Sequence, residues 1–218
     1  MISKNILENI LIDPSVYLKT GKEISLNLVG NFYQTEKNDF KYPIINGIPI
    51  LKLPHDQESD TSYDDIIPSF GLGNRDTDTI LKVNSLNIND IRDKTVLLAG
   101  TGGGGDIIWL KKLEPKKIIC LDYSYSLHLV KNKFNDSNIE YVVADVCDMP
   151  FKSGSFDIVI SQGIMQHTRS PEKAFISQIR TLKSGGIFSI GNLYSPNSHN
   201  RKINSLRYKL NLHKKNRE

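Results

Sequence analysis

Cysteine is nearly missing from this chain: of 218 residues only Cys120 and Cys147 carry thiols. Two cysteines, each beside an apolar strand-like run, cannot build the disulfide framework of a small secreted domain. Their expected role is as small buried apolar side chains in a reduced compartment. Long apolar runs are lacking too. No stretch approaches the roughly 20 residues that cross a bilayer, and the start, M-I-S-K-N-I-L-E-N-I-L-I-D-P, has no continuous apolar core of signal-peptide length. The expectation is a cytoplasmic protein with no membrane span. A strong excess of one charge is also absent from most of the chain. The formal net charge is +4, but residues 201–218 hold seven Lys or Arg against the single acid Glu218, a net +6, so the preceding 200 residues carry −2. Contact with nucleic acid is thereby confined to the tail, through Arg207, Tyr208, Lys209, Lys214, Lys215 and Arg217, and a solvated terminal helix reads the same way. With 39% hydrophobic and 24% charged residues, the chain has room for one α/β core and a small lobe.

Glycine, by contrast, is concentrated. From Thr95 the chain reads T-V-L-L-A-G-T-G-G-G-G-D, an uninterrupted apolar run, Val96 to Ala99, followed by five glycines among six residues. The run predicts a strand buried on both faces. The turn offers bare backbone to a bulky ligand, with φ values closed to other residues, and Ile107 to Leu113 predicts a helix whose free N–H groups face that turn. Gly100, Gly102 and Gly105 satisfy the dinucleotide pattern G-x-G-x-x-G, while Gly100, Gly102 and Gly104 satisfy G-x-G-x-G, the pattern of S-adenosylmethionine sites. The turn alone leaves both open.

The text after it is regular. K-K-I-I-C-L-D-Y-S predicts a strand ending at Asp122, Leu127 to Phe134 a helix, I-E-Y-V-V-A-D-V a strand ending at Asp145, and F-D-I-V-I-S-Q-G a strand ending near Ser161. A helix over Pro171 to Leu182 leads into G-G-I-F-S-I-G-N-L-Y. Strands alternating with helices predict a doubly wound, Rossmann-like, mostly parallel sheet. Ligands of such sheets sit at the carboxyl ends of the strands, where Gly100 to Gly104, Asp122, Asp145, Ser161 and Gln162 fall. Asp122 comes 22 residues after Gly100, placed to accept from both hydroxyls of a ribose.

Upstream the chain is irregular. Residues 1 to 12 space apolar side chains at helical intervals until Asp13-Pro14 stops them, Ile24 to Leu28 alternates, and Asn46-Gly47 between two apolar runs predicts a hairpin. Y-P-I-I-N-G-I-P-I-L resembles the closing hairpin of small zinc-ribbon domains, but no cysteine precedes Cys120, so a tetrahedral thiolate site is excluded and no metal is expected. The lobe then serves as a packing element or a substrate-facing lid. Residues 54 to 79 are acidic, polar and broken by Pro68, Gly71 and Gly73, a linker or a lid carrying Tyr63 and Phe70. Leu81 to Ile91 predicts one short helix. The expected organisation is a lobe over 1–56, a linker or lid over 57–79, a core over 80–194 and a basic segment over 195–218.

The segment A-D-V-C-D-M-P-F-K-S-G-S-F-D-I-V-I-S resembles the third and fourth motifs of class I S-adenosylmethionine-dependent methyltransferases, and R-T-L-K-S-G-G-I-F-S-I resembles the stretch before their fifth strand. The nearest pattern is that of the type 11 group, over about residues 92–194. The resemblance implies S-adenosylmethionine as cofactor and methyl transfer to O, N or C of a small-molecule acceptor. It assigns Gly100, Thr101, Gly102 and Gly104 to the methionine part of the cofactor, Asp122 and Tyr123 to the ribose, Asp145 and Val146 to the adenine, and Ser161 and Gln162 to the methionine end. One departure stands out: the family places an acid two residues before the first glycine, where this chain has Leu98. His167 is the candidate general base, with packing as its other reading, and Asn192 and Tyr194 are candidates for the acceptor pocket. After Tyr194 the pattern stops before the family's last two strands, which predicts self-association through an incomplete sheet edge. A catalytically degenerate binding protein or subunit, and an RNA methyltransferase using the basic tail, remain alternatives.

Overall fold

The computed structural model describes residues 6–36, 38–53, 76–83 and 86–191. Helix α1 (Ile6–Ile10) ends before the expected stop at Asp13-Pro14, because Leu11 and Ile12 form β-bridges to Phe151 and Ser25, and Asp13-Pro14 instead starts α2 (Pro14–Thr20). Proline suits the first helical turn, where its missing N–H costs nothing. Asp13 caps that turn, its Oδ1 accepting from the backbone N of Ser15 at 2.9 Å and of Val16 at 3.2 Å. The same oxygen accepts from the buried Tyr42 hydroxyl at 2.7 Å, which ties the cap to a strand 29 residues away.

Tyr42 belongs to a four-stranded antiparallel sheet in the order β1 (Asn27–Val29), β2 (Phe32–Thr35), β3 (Asn38–Ile45), β4 (Ile48–Pro49). The hairpin at Asn46-Gly47 is present as predicted. Both residues have positive φ, 52° and 68°, as a tight primed turn demands.

Where one helix is expected over Leu81 to Ile91, there are two, α3 (Thr77–Val83) and α4 (Ile88–Ile91). Asn87 begins the second: its side chain accepts from Asn89 N while Asp90 accepts from Asn87 N, a capping box that restarts the helix. The core follows as β5 (Thr95–Ala99), α5 (Gly105–Lys111), β6 (Lys117–Asp122), α6 (Leu127–Lys133), β7 (Ile139–Val143), β8 (Phe156–Gln162), α7 (Pro171–Arg180) and β9 (Leu182–Gly191). Helix α5 begins two residues earlier than predicted, inside the glycine run. Helix α7 ends two residues earlier, where the Thr181 hydroxyl bonds back to the Gln178 carbonyl at 2.7 Å.

All five core strands are parallel, in the order β7-β6-β5-β8-β9. This is the doubly wound sheet. Its order reverses at β5, so the crevice beyond the carboxyl ends of β5 and β8 is where such a fold holds a ligand.

Strand alternation sends Val96, Leu98, Ile118, Cys120, Ile158 and Ile160 to one face, under Ile107, Leu110, Leu127 and Val130 of α5 and α6. Leu97, Ala99, Ile119, Leu121 and Val159 face the other way, against Leu7, Leu11, Tyr33, Tyr42 and Leu51 of the N-terminal lobe. The lobe therefore shares its core with the sheet. At about 1.5–3 kcal/mol per buried large side chain, this apolar contact holds the two together.

Polar clasps fix its position. Lys131 of α6 donates to the carbonyls of Asn46 and Gly47 at 3.0 and 2.8 Å. At the opposite end Arg180 of α7 donates to Glu23 Oε1 at 2.7 Å and to the Met149 carbonyl at 2.8 Å, with its guanidinium 4.3 Å from the Tyr17 ring centre. Burial pushes the Glu23 carboxyl up, but donors from Ser153 and Arg180 outweigh it and hold the group below its ordinary value. A depressed carboxyl stabilises the fold above the unfolded-state value and loses that contribution as pH falls through the folded one. Arg180→Met should therefore cost about 2–3 kcal/mol at neutral pH, and the gap from wild type should narrow at pH 3. Urea titrations at the two pH values check both statements.

Candidate functional site

The glycine turn is held to the sheet by its neighbours. The N–H groups of Gly100 and Thr101 both donate to the Leu121 carbonyl, at 2.8 and 3.0 Å, and the Thr101 hydroxyl reaches the same carbonyl at 3.2 Å. Thr101 thus turns its side chain into the sheet end.

The three glycines of the G-x-G-x-G pattern have positive φ, 78°, 52° and 86° for Gly100, Gly102 and Gly104, but their surroundings differ. A Cβ on Gly100 would lie 2.1 Å from Ile164 Cγ2, and one on Gly104 would lie 2.7 Å from Val130 Cγ1. One on Gly102 would meet nothing within 4 Å. Gly100 and Gly104 are packed by protein, and Gly102 presents bare backbone to open space.

Asp122 adjoins that open backbone. Its Oδ2 accepts from Gly102 N at 2.7 Å and its Oδ1 from Ser124 N at 3.0 Å. Burial raises its carboxyl above the ordinary carboxylate value, against the pull of the Ser124, Gly102 and Tyr123 N–H groups and the charge of Lys52. The β6–β7 register pairs Asp122 with Val143, and Ala144 N donates to the Asp122 carbonyl at 3.0 Å, so Asp145 leaves the adjoining strand end. Asp145 is engaged by protein: Oδ1 caps a 3₁₀ turn through Cys147 N at 2.7 Å, and Oδ2 lies 3.3 Å from Arg169 Nε. Arg169 also pairs with Asp148. The Cys147 thiol, raised to about 11 by burial and by Asp145, bonds the Ser170 carbonyl and plays the packing role expected of it.

At the end of β8 the two expected residues diverge. Ser161 is wholly buried on the face of Val159 and Ala99, and its hydroxyl has no hydrogen-bond partner among the described residues. Gln162 points the other way, packing over Gly191, with Nε2 3.5 Å from Ser189 Oγ. His167 sits on the 3₁₀ turn Met165–His167, half-buried, with Nε2 3.4 Å from Gln166 Nε2. Leu98 is buried in the core. Asn192, Tyr194, the lid candidates Tyr63 and Phe70, and the basic tail lie outside the described residues.

Residues 97–190 match the family model described as "Methyltransferase domain" (Methyltransf_11). Over that stretch the core is similar to a class I methyltransferase domain. Among curated relatives the chain is 28% identical over 120 residues to a tRNA U34 carboxymethyltransferase of Campylobacter fetus, covering 53% of this chain and 43% of that one. It is 31% identical over 115 residues to a sarcosine/dimethylglycine N-methyltransferase of Halorhodospira halochloris, covering 50% and 41%. The chain thus spans less than half the length of these two relatives. A solved S-adenosylmethionine-dependent methyltransferase from Mesorhizobium loti superposes with a TM-score of 0.48 at 21% identity, covering 55% of this chain and 54% of that one.

The cofactor that a class I methyltransferase domain implies is S-adenosylmethionine, and the residues present fit it. Gly102 offers an open backbone that a side chain would fill, and a largely buried carboxylate stands within hydrogen-bond distance of that backbone. Sequence reasoning missed three neighbours of this candidate site: Ile164 over Gly100, Arg169 on Asp145, and Lys52 against Tyr123. Lys52 left a trace, a charge in the apolar alternation of I-P-I-L-K-L; Ile164 and Arg169 left none, because their contacts join segments distant in the chain.

Proposed function

We propose that this protein binds S-adenosylmethionine in the crevice between the glycine turn and Asp122, and transfers its methyl group to O, N or C of a small-molecule acceptor. The observation that carries the reading is the bare backbone of Gly102 beside a buried carboxylate, at the point where the strand order reverses. The cofactor supplies an activated methyl group on a sulfonium. The residues here bind, orient and move a proton. Asp122, with Tyr123 beside it, accepts from the ribose hydroxyls. Asp145 keeps unused lone pairs for the adenine amino group, with Val146 against the ring. Gly100 to Gly104 flank the amino-acid end, with Ser161 and Gln162 behind it. His167 takes the proton of a hydroxyl or amine acceptor.

The near-neutral charge of residues 1–200 supports a small acceptor over a polyanion. The relatives include both a tRNA and a small-molecule methyltransferase, so likeness over the shared stretch does not by itself fix the acceptor class. Incubation of the full chain with cofactor labelled in its methyl group, against hydroxyl, amine and carbon-acid acceptors and bulk tRNA, tests the reading. Label in a small molecule supports it. Label in tRNA alone replaces the acceptor class, and binding without transfer in any arm favours the non-catalytic alternative, to which the Arg169–Asp145 pair also points. In an active preparation His167→Gln should lower kcat about a hundredfold while leaving the affinity for S-adenosylhomocysteine within twofold; equal turnover returns His167 to a packing role.

A further inference from the structure

We infer that Lys52 is a positioning residue of the cofactor site: a cation that the N-terminal lobe delivers onto the rings of Tyr123 and Tyr125, beside the carboxylate of Asp122, so that the lobe takes part in binding the adenosyl group. The inference rests on the cofactor reading above.

The register places it there. Residues after β4 run along the open edge of β7, where Ile50 bridges Val143 in parallel and Leu51 N donates to the Val143 carbonyl at 2.8 Å. Val143 is in turn the β7 partner of Asp122. Ile50, Val143 and Cys120 share one apolar cluster, so the residues two further along each segment, Lys52, Asp145 and Asp122, leave the strand ends on the same face.

Lys52 is only 3% exposed, and its ammonium lies 3.8 Å from the Tyr123 ring centre and 4.2 Å from that of Tyr125. An ammonium so buried is costly unless compensated. Two ring faces and the nearby Asp122 carboxylate compensate it here. Packing the lobe on the sheet needs only an apolar side chain at this point of the alternation. A charge placed there instead serves what lies beyond the strand ends.

The titratable and charged groups around Asp122 are Lys52 from the lobe, Tyr123 and Tyr125 from its own turn, the Cys120 thiol from its own strand, and Asp145 with Arg169 from the end of β7. Burial drives the Asp122 carboxyl upward and Lys52 opposes it. Removing the cation lets the carboxyl titrate at higher pH, and the protonated acid is a poorer acceptor for ribose hydroxyls. The loss of affinity is therefore largest on the acid side.

The test is calorimetric titration of the full chain with S-adenosylhomocysteine at pH 6 and pH 8.5. For Lys52→Met the expected result is at least about tenfold weaker binding at pH 6 and a smaller deficit at pH 8.5, since an opposite charge at close range moves a carboxylate by about one to three pH units. Lys52→Arg restores both. Tyr125→Leu, at a ring 38% exposed and so tolerant of change, weakens binding about two- to fivefold. Should Lys52→Met fail to fold, Lys52→Gln carries the same comparison. Unchanged affinity at both pH values, or an equal and pH-independent loss in Lys52→Met and Lys52→Arg, overturns the inference and leaves the cofactor reading standing. A wild-type chain that binds nothing at either pH removes both.

Discussion

Replacing Asp122 by Ala is expected to weaken S-adenosylhomocysteine binding by a factor on the order of 10² to 10⁴. Charge-assisted hydrogen bonds are each worth about 1.5–3 kcal/mol when the donor or acceptor is ionised, and two ribose hydroxyls make two of them, about 3–6 kcal/mol together. The loss has a second source. Asp122 accepts from Gly102 N and Ser124 N, so its removal frees the turn that it shapes. Asp122→Asn separates the two sources. The amide keeps one oxygen to hold a backbone N–H but gives up the charge, so its affinity should fall between wild type and Asp122→Ala. Calorimetry on the three proteins reads this directly, and an Asp122→Ala chain that binds as wild type does would falsify the assignment of the ribose end.

The second large effect concerns stability. Gly100→Ala should destabilise the chain by about 2–5 kcal/mol. Placing a side chain at φ 78° costs roughly 1–2 kcal/mol, and the new Cβ, 2.1 Å from Ile164 Cγ2, must drive that side chain aside for about 1–3 more. The mechanism implies a coupling. In the double variant Gly100→Ala with Ile164→Ala most of the clash is relieved, only the Ile164 Cβ remaining close at 3.2 Å, so the total loss should be smaller than the sum of the single losses. Additive losses in urea melts would show that the strain lies elsewhere. Gly102→Ala makes the contrast. Its Cβ enters open space, so stability should fall by only about 1 kcal/mol, while under the proposed reading ligand affinity should be lost, because the methyl group would stand where the ligand is proposed to lie. One motif thus divides into two glycines packed by protein and one left open to the proposed ligand.

That division marks the limit of what the chain reveals by reading. The pattern T-V-L-L-A-G predicted β5 and its turn because burial on both faces leaves an uninterrupted apolar run, and the same logic found β6, β7 and β8. Asn46-Gly47 announced its hairpin because so few residues tolerate consecutive positive φ. The breaks were harder. Asp13-Pro14 reads as a stop but acts as a start, α1 having already ended at Ile10, and the capping box at Asn87 divides what reads as one helix. Local signals of this kind decide boundaries by about 0.5–2 kcal/mol each, and periodicity does not carry them.

At the site, the acids at strand ends were legible because the strands were. The charged neighbour of each acid was not: Lys52 acts on Asp122 through its charge from 70 positions earlier, and Arg169 pairs with Asp145 from 24 positions later. Nor does the sequence tell that the N-terminal lobe is a face of the sheet's own core. Leu7, Leu11, Tyr33 and Tyr42 have the spacing of any small amphipathic lobe, and only the shared cluster with Leu97, Leu121 and Val159 shows what they cover.

The crystal structure of the full chain grown with S-adenosylhomocysteine is the most direct measurement. The expected density places both ribose hydroxyls within hydrogen-bond distance of the Asp122 carboxylate and carries the amino-acid end past the backbone of Gly102. An adenosyl group bound anywhere else, with that backbone untouched, would contradict the account.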